Sequence, residues 1–219
     1  MVLALDHAYH KMYSGVYVQK NEALKQIAFF DFDGTITTKD SFLEFIKYQK
    51  GTFRFYAGFI LNSPFLVAYK IGIISNQYAK ERVMRFFFGK MQTEKFQLAC
   101  DEFSDNMIPS LMRPKALLEI KKLQEAGVAV VIVSASAENW LRNWCATQGV
   151  SLLATRLQHS NGKITGKIEG LNCHGEEKVR RVHEAYDLSE YSRIYCYGDT
   201  KGDKPLLGLA TFSFYKPFR

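Results

Sequence analysis

The stretch FFDFDGTIT, residues 29–37, places two carboxylates directly after an apolar run. That run, IAFF at 27–30, is short and ends in turn residues, which is typical of a buried strand in a parallel sheet. Asp31 and Asp33 then follow two positions apart. Two like charges at this spacing repel each other unless a cation lies between them. The stretch therefore predicts a strand that delivers two acids to a cation site.

The region that follows is predicted to be helical as far as Met112. Ser41 is the expected N-cap of its first helix, with Glu44 as the capping-box partner. Apolar residues recur every three or four positions, which is the spacing of amphipathic helices. The most apolar part of this region is expected to be broken in its middle by the sequence NSP at 62–64.

The second half of the chain alternates predicted helices with predicted strands. The pair Asn161–Gly162 lies between two alternating segments and predicts a β-hairpin. Alternating strands and helices imply a parallel sheet with right-handed crossovers, so we expect an α/β, Rossmann-like core with helices on both faces. The predicted helices cover 114–126, 138–148 and 176–186, and the predicted strands cover 128–134, 150–155, 192–199 and 211–215.

Polar side chains follow three of these strands at the edge where active sites of such sheets collect. They are Asp31 with Asp33, then Ser134, and then Asp199, which Asp203 follows closely. Four carboxylates offer oxygen ligands only, which favours Mg²⁺ with several retained waters. Zinc would need histidine or cysteine, and the adjacent Cys173 and His174 have no second pair in the sequence.

The same edge carries groups that suit an anion. The backbone N–H groups of Gly34 and Thr35 are expected to form an anion nest, and those of Ala135 and Ser136 to lie at a helix start. The Ser134 hydroxyl and the Lys178 ammonium add a donor and a charge. Acids that hold a metal beside donors that hold an anion describe phosphoryl transfer, in which an aspartate can serve as the nucleophile.

Four segments in this order resemble the motifs of the haloacid dehalogenase superfamily of phosphatases. They are DFDGTIT, the strand end at Ser134, GEEK at 175–178 and YGDTKGDKPLL at 197–207, and the resemblance spans about residues 27–215. It implies Asp31 as nucleophile and Asp33 as general acid and then base, with the Asp33 carbonyl on the metal. It also implies that Ser134 and Lys178 hold the phosphoryl group, that Asp199 binds Mg²⁺, and that Asp203 binds it through water or orients the ligands.

The finer resemblance is to subfamily IB, the phosphoserine-phosphatase-like branch, which inserts a helical cap of the C1 type after the first motif. It implies a catalytic core at 27–38 and 113–219, a cap at 39–112, and a leader or accessory segment at 1–26. The segments NGKITGKIEGLNCHGEEK and FYKPF resemble a group that includes bacterial phosphatidylglycerophosphatases.

Four positions depart from phosphoserine phosphatases. Those enzymes place a lysine where this chain has His174, so His174 is the alternative to Lys178. They also carry an asparagine and two glycines where this chain has Gly202 and Ala135–Ser136. Asp40 lies where they place an acid for the substrate's amino group, and a helix cap is its other possible role.

The apolar segment at 53–74 bears on the substrate. Fifteen uncharged residues separate Arg54 from Lys70, fewer than the roughly 20 that span a bilayer. One interpretation is the buried interior of the cap. The other is an interfacial helix pair that docks on a membrane, with basic residues such as Arg54, Lys70, Lys80 and Arg82 facing anionic lipid.

Bulk composition limits the remaining classes. The chain has 219 residues, 47 % of them hydrophobic, and a formal net charge of +7. The charge favours anionic partners, and no nucleic-acid-binding motif is present. Four scattered cysteines and no apolar run of a secretory signal favour a cytoplasmic protein with reduced thiols, and peripheral contact with the inner face of the membrane stays open. The sequence does not indicate an oligomeric state.

We therefore expect a Mg²⁺-dependent phosphomonoesterase that forms an aspartyl-phosphate. Its substrate is a phospholipid head-group monoester, similar to phosphatidylglycerophosphate, or alternatively a small soluble metabolite such as phosphoserine. A phosphotransferase and a non-catalytic phosphate-binding module are the rival functions.

Overall fold

The fold is that of a computed structural model, which describes residues 25–219. Six strands and eight helices are present in this range. The strands are β1 (Lys25–Phe30), β2 (Ala129–Ala137), β3 (Ser151–Ser160), β4 (Lys163–Glu169), β5 (Tyr191–Gly198) and β6 (Phe212–Tyr215). The helices are α1 (Ser41–Lys70), α2 (Asn76–Phe88), α3 (Thr93–Asn106), α4 (Ile108–Leu111), α5 (Pro114–Glu125), α6 (Glu138–Thr147), α7 (Glu176–Ala185) and α8 (Lys204–Leu207).

The strands form one sheet in the order β4-β3-β2-β1-β5-β6. Strand β1 lies in its middle and pairs in parallel with β2 and β5. Strands β3 and β4 form an antiparallel hairpin that turns at Asn161 and Gly162, both with positive φ, as the Asn-Gly pair predicts. The largely parallel sheet places the ends of β1, β2 and β5 side by side.

Alternate residues of β1 face opposite sides of the sheet, and helices cover both sides. Ala28 and Phe30 belong to an apolar cluster that includes residues of α5 and α6. Ile27 and Phe29 belong to a second cluster, with Val182 of α7. All four strand residues are fully buried, as near-continuous apolar parallel strands require. The predicted α/β fold is thus confirmed.

Two strand boundaries differ from the sequence-based prediction. Strand β1 begins at Lys25 because Lys25 and Gln26 pair with β5, so these two residues belong to the sheet, and the rest of the predicted leader lies outside the described residues. Strand β2 continues past Ser134 to Ala137. Ala135 and Ser136 therefore lie in an extended strand, and the prediction that they start a helix is wrong.

The start of α1 also differs from the prediction. Asp40 is the N-cap, and its carboxylate accepts a hydrogen bond from the Leu43 N–H at 3.0 Å. Ser41 is the first helical residue, and its hydroxyl contacts Trp140 and Ser136 instead of capping the helix. The predicted capping box of Ser41 and Glu44 is therefore wrong.

Helix α1 kinks at Gly51 rather than at the NSP sequence. Gly51 has φ 76° and ψ 161°, outside the helical region. The helix continues through Pro64, whose ring nitrogen cannot donate to the Ile60 carbonyl. The Ser63 hydroxyl donates to that carbonyl at 2.7 Å, which satisfies the acceptor that proline leaves unpaired. The predicted break at 62–64 is therefore wrong.

The helices α1 to α3 pack on the sheet through aromatic residues. The Phe45 ring stacks on Trp140 of α6, with 5.0 Å between ring centroids, and meets Phe103 edge-on. These residues belong to the same apolar cluster as Ala28 and Phe30. Within residues 25–219, no helix is both long and apolar enough to cross a membrane. The division into a core and a cap at 39–112 stays a prediction.

Candidate active site

The parallel pairing of β1 and β5 brings Asp31 and Asp199 together. The Asp31 N–H donates to the Tyr197 carbonyl at 2.9 Å, which extends the pairing to the end of β1. The Thr35 hydroxyl lies 2.9 Å from Asp31 Oδ2 and 3.2 Å from Asp199 Oδ1. Gly34 between them has φ 82°, and a Cβ there would lie 2.6 Å from Asp199 Oδ2. Only glycine allows this close approach.

Lys178 joins a third acid to this pair. Its Nζ lies 2.6 Å from Asp31 Oδ1 and 2.7 Å from Asp203 Oδ1, and its side chain is 2 % exposed. The other Asp203 oxygen accepts hydrogen bonds from the Thr200 N–H and hydroxyl, at 2.9 and 2.8 Å. The first turn of α7 thus delivers the predicted lysine to the predicted acids.

Carboxylate oxygens of Asp31, Asp199 and Asp203 all lie within 4.8 Å of one another. Three buried carboxylates at this spacing fit a hard divalent cation, because Mg²⁺ prefers negatively charged oxygen ligands. Arg219 also contacts Asp199. Among the described residues, the potential metal-binding groups of three or more contain no histidine or cysteine, so the Cys173–His174 pair does not extend into a zinc site.

The Asp33 side chain points away from the other three acids. Its Oδ1 accepts the Ser41 N–H at 2.6 Å, and its Oδ2 accepts the Ser136 hydroxyl at 2.6 Å. These bonds tie the end of β1 to the first residue of α1 and the end of β2. The carboxylate is therefore held at the cavity wall, apart from the metal-binding oxygens, and a metal contact through its backbone carbonyl stays a prediction.

Burial governs the ionisation of the acids. It raises the pKa of Asp31 to about 7, against the opposing charge of Lys178, and the pKa of Asp33 to about 6. Burial also raises the pKa of Asp199. For Asp203, desolvation by burial is outweighed by Lys178 and Thr200, so its pKa falls below the usual value. A divalent cation held by these carboxylates would favour their ionised forms.

Lys178 remains charged in this environment. Burial alone would lower the pKa of the ammonium, but the carboxylates of Asp31 and Asp203 raise it above its usual value. His174 lies nearby, against Gly202, and its pKa is lowered mainly by burial. The geometry therefore brings Lys178 rather than His174 into contact with the acids, and its role toward phosphate stays a prediction.

The predicted anion donors are arranged differently from expectation. The Gly34 N–H donates to Thr37 Oγ1 at 3.1 Å, so the nest predicted at Gly34 and Thr35 lacks this donor. Ser134 is fully buried, and its hydroxyl oxygen accepts the Ser136 N–H at 3.0 Å. The Ala135 carbonyl accepts the Thr155 hydroxyl at 2.7 Å. The hydroxyl hydrogen of Ser134 stays a candidate donor to phosphate.

Two side chains in the cavity, those of Ser136 and Lys80, have contacts that the sequence analysis did not predict. Ser136 donates to Asp33, and its hydroxyl lies 2.9 Å from that of Ser41. Lys80 of α2, which one of the two interpretations of the apolar segment placed toward lipid, lines the cavity and contacts the Ala135 carbonyl. A sequence signal for Lys80 exists, since Met84 and Phe88 continue its helical row at i+4 and i+8 and both are buried.

A cavity of about 560 Å³ opens beside Asp31 and Asp33. Helices α1 and α2 form its opposite wall with mostly apolar side chains. Those discussed below are Phe42, Phe59, Leu66, Tyr69, Asn76 and Lys80. The cavity thus has an acidic end with one paired lysine and an apolar wall with a second lysine.

A sequence model of the haloacid dehalogenase-like hydrolase family matches residues 28–208. Protein CicA of Caulobacter vibrioides is 34 % identical over 192 residues, which cover 87 % of this chain and 85 % of CicA. A histidinol-phosphatase of Neisseria meningitidis is 25 % identical over 199 residues, covering 86 % of this chain and 88 % of that protein.

The fold also matches a solved structure described as a phospho-aspartyl intermediate analogue of phosphoserine phosphatase. The TM-score is 0.57 with 21 % sequence identity, and the match covers 86 % of this chain and 85 % of that one. This likeness shows a shared fold. The model match at 28–208 includes all four predicted motifs.

Proposed function

The chain belongs to the haloacid dehalogenase-like hydrolase family and is a phosphatase, and we propose that it hydrolyses a phosphomonoester through an aspartyl-phosphate on Asp31. The observation that carries this proposal is the contact of buried Asp31 with Lys178, beside the oxygens of Asp199 and Asp203. In this position the nucleophilic carboxylate of Asp31 lies beside the Lys178 ammonium, whose positive charge would offset the negative charge of the incoming phosphoryl group.

The proposed reaction has two steps. A carboxylate oxygen of Asp31 attacks phosphorus, and the ester P–O bond breaks while Asp33 gives a proton to the leaving oxygen. Asp33 then takes a proton from water, whose oxygen attacks phosphorus and breaks the bond to Asp31. Inorganic phosphate leaves, and both aspartates return to their starting states. The Asp33 pKa of about 6 suits a group that exchanges a proton near neutral pH.

Mg²⁺ is the proposed cofactor, held by Asp31, Asp199 and the Asp33 carbonyl, with Asp203 as a direct or water-mediated ligand. When bound, it would supply positive charge to the phosphoryl oxygens. The chain's own groups do the remaining work. Lys178 fixes the orientation of Asp31, Ser134 offers a hydroxyl to phosphate, and Asp203 holds Lys178 in place.

We propose a phospholipid head-group monoester as the substrate class, with a small soluble phosphomonoester as the alternative. Helix α1 supports this choice because two of its faces are apolar. Phe59 and Leu66 line the cavity, while Phe53, Ile60 and Val67 on another face are 85 %, 71 % and 57 % exposed. An apolar cavity wall next to an exposed apolar face suits a substrate drawn from a membrane surface.

This proposal includes peripheral membrane contact through α1, with Arg54 and Lys70 near anionic lipid. Arg54 and Lys70 are both exposed, and they lie at opposite ends of the apolar segment. The assignment to subfamily IB and the resemblance to phosphatidylglycerophosphatases stay predictions.

The test is release of inorganic phosphate from a panel of phosphomonoesters, measured with Mg²⁺ and with EDTA. The panel contains phosphoserine, histidinol phosphate, sugar phosphates, nucleotides, p-nitrophenyl phosphate and phosphatidylglycerophosphate in mixed micelles. Turnover confined to the lipid supports the phospholipid proposal, and turnover of soluble esters alone overturns it. Transfer of the phosphoryl group to an added alcohol instead of water would indicate a phosphotransferase. Binding of Mg²⁺ and phosphate without any turnover would indicate a non-catalytic module.

A further inference from the structure

Lys80 is the cation of the cavity wall formed by α1 and α2. Its Nζ donates to the Ala135 carbonyl and lies 3.5 Å from Asn172 Oδ1. The ammonium also lies 5.5 Å from the centroid of the Phe42 ring. All three neighbours are neutral. Among residues 25–219, no carboxylate lies within ion-pair distance of Lys80.

This environment differs from that of Lys178, which also lines the cavity. Lys178 is buried between two carboxylates, whereas Lys80 is partly buried with neutral acceptors only. A desolvated ammonium without a counter-ion is costly, and an anion in the cavity would remove that cost. Asp33 and Asp40 attract Lys80 only through longer-range electrostatics. The uncompensated charge therefore faces the space that the substrate would enter.

Hydrogen bonds fix the position of this charge. The Asn172 amide nitrogen donates to Asn76 Oδ1 at 2.7 Å, and the Thr155 hydroxyl oxygen lies 2.9 Å from Asn172 Oδ1. The amide oxygen is thereby turned toward Lys80. Asn76 in turn donates to the Tyr69 hydroxyl at 2.9 Å. A cation held by its neighbours loses little entropy when it binds an anion.

We propose that Lys80 determines specificity by binding a second anionic group on the leaving group of the substrate, a carboxylate or a phosphodiester. This inference rests on the proposed function, since it assigns the leaving group of that reaction. The acidic end of the cavity takes the phosphoryl group, and the apolar wall beside Phe42 and Phe59 takes the carbon skeleton. Lys80 then distinguishes substrates that carry a second charge from those that do not.

Two matched pairs of ligands test the proposal. Glycerol 3-phosphate and 3-phosphoglycerate differ by a hydroxymethyl group in place of a carboxylate. Phosphatidic acid and phosphatidylglycerophosphate, in mixed micelles, differ by a glycerol phosphate unit, which places a phosphodiester in the leaving group of the second lipid. Calorimetric titration of the full chain carrying Asp31→Asn measures binding with Mg²⁺ and needs no turnover. The kcat/KM of the chain with Asp31 intact, on the same pairs, gives an independent ratio.

We expect the charged member of at least one pair to bind roughly ten- to hundredfold more tightly, as a charge-assisted hydrogen bond provides. Lys80→Met should reduce that ratio to about one and leave glycerol 3-phosphate binding and p-nitrophenyl phosphate hydrolysis nearly unchanged. The control is Arg82→Met, which removes an exposed charge from the same helix and should keep the ratio. Which pair responds identifies the second anion as carboxylate or phosphodiester.

Three outcomes would overturn the inference. One is no preference within either pair before substitution, and another is an unchanged ratio in Lys80→Met. The third is an equal loss of affinity for every ligand, which would make Lys80 a contact between α2 and the end of β2. If the unsubstituted protein releases no phosphate from any compound, the proposed function fails, while the calorimetric ratios still decide the role of Lys80.

Discussion

Lys178 Nζ lies 2.6 Å from Asp31 Oδ1, although 147 positions separate the two residues in the chain. The contact joins the end of β1 to the first turn of α7, and both residues are buried. A buried ion pair of this kind contributes little net stability, but loss of one partner leaves an uncompensated charge. Nucleophile, cation and metal-binding acids therefore depend on one another, and the following predictions separate their roles.

Asp31→Asn should abolish turnover and leave the fold intact. The amide has the size of the carboxylate but is a poor nucleophile, so kcat should fall by roughly 10⁴-fold or more. Phosphate release with the best substrate of the panel measures this, and circular dichroism checks the fold. Asp105→Asn, at an exposed acid of α3, is the control and should keep full activity. An Asp31→Asn protein that retained most of its activity would contradict the nucleophile assignment.

Lys178→Met should lower both stability and activity. It leaves Asp31 and Asp203 buried without their shared cation, which costs about 3–5 kcal/mol of the free energy of unfolding. Urea denaturation measures this cost. Lys121→Met, at a side chain 74 % exposed, should change stability by less than about 0.5 kcal/mol. Equal stability of the two variants would show that the ion pair is not formed in solution.

Gly34→Ala should weaken Mg²⁺ binding as well as the fold. Alanine at φ 82° is strained by roughly 1–2 kcal/mol, and its Cβ would also push against Asp199. Gly127→Ala is the matched control, with φ 75° and open space around the new Cβ. Both variants should lose similar stability in EDTA. Only Gly34→Ala should lose Mg²⁺ affinity in calorimetry, and a similar loss in Gly127→Ala would contradict the role of the close approach.

Mg²⁺ affinity should fall as the pH falls through about 7. The pKa of Asp31 in the metal-free protein is raised from 3.8 to about 7 by burial, so below that pH the ligand carries a proton that the metal must displace. The affinity should drop up to about tenfold per pH unit for one displaced proton. Calorimetry in buffers of different ionisation enthalpy measures the released proton. A constant affinity between pH 5.5 and 8 would contradict the prediction.

The same raised pKa fixes the sign of a stability effect. The unfolded chain releases the Asp31 proton at lower pH than the folded protein does. Between these two pH values, the folded, metal-free protein therefore binds more protons than the unfolded chain does. The contribution of this group to stability is present below pH 3.8 and is lost as the pH rises to about 7. Added Mg²⁺ should therefore raise the melting temperature more at pH 8 than at pH 5.5.

The exposed apolar face of α1 should bind anionic membranes. Ile60→Glu places a charge in the middle of that face, and we expect it to weaken binding to phosphatidylglycerol-containing vesicles by roughly tenfold or more. Leu118→Glu changes an equally exposed residue of α5, 68 % exposed, and should leave binding unchanged. Co-sedimentation measures both. Equal binding of Ile60→Glu and the unsubstituted protein would contradict membrane contact through α1.

Local sequence patterns were sufficient for most elements of the fold. Three features depend only on neighbouring residues, and the structure confirms all of them. They are the apolar strand before Asp31, the Asn161–Gly162 hairpin and the alternation of helices with strands after Pro114. The kink of α1 was placed wrongly because proline is usually a helix breaker. Ser63 compensates for Pro64, while Gly51 adopts a backbone conformation outside the helical region.

The sequence by itself determined which groups follow β1 and β5, because side chains that follow a parallel strand lie at one edge whatever the packing. Only the tertiary structure decided their partners. Asp33 accepts hydrogen bonds from Ser41 and Ser136, and the Gly34 N–H donates to Thr37. Lys80 lines the cavity. All of these contacts depend on strand register and helix packing. Such contacts join residues far apart in the chain, and a pattern that repeats every two to four residues carries no information about them.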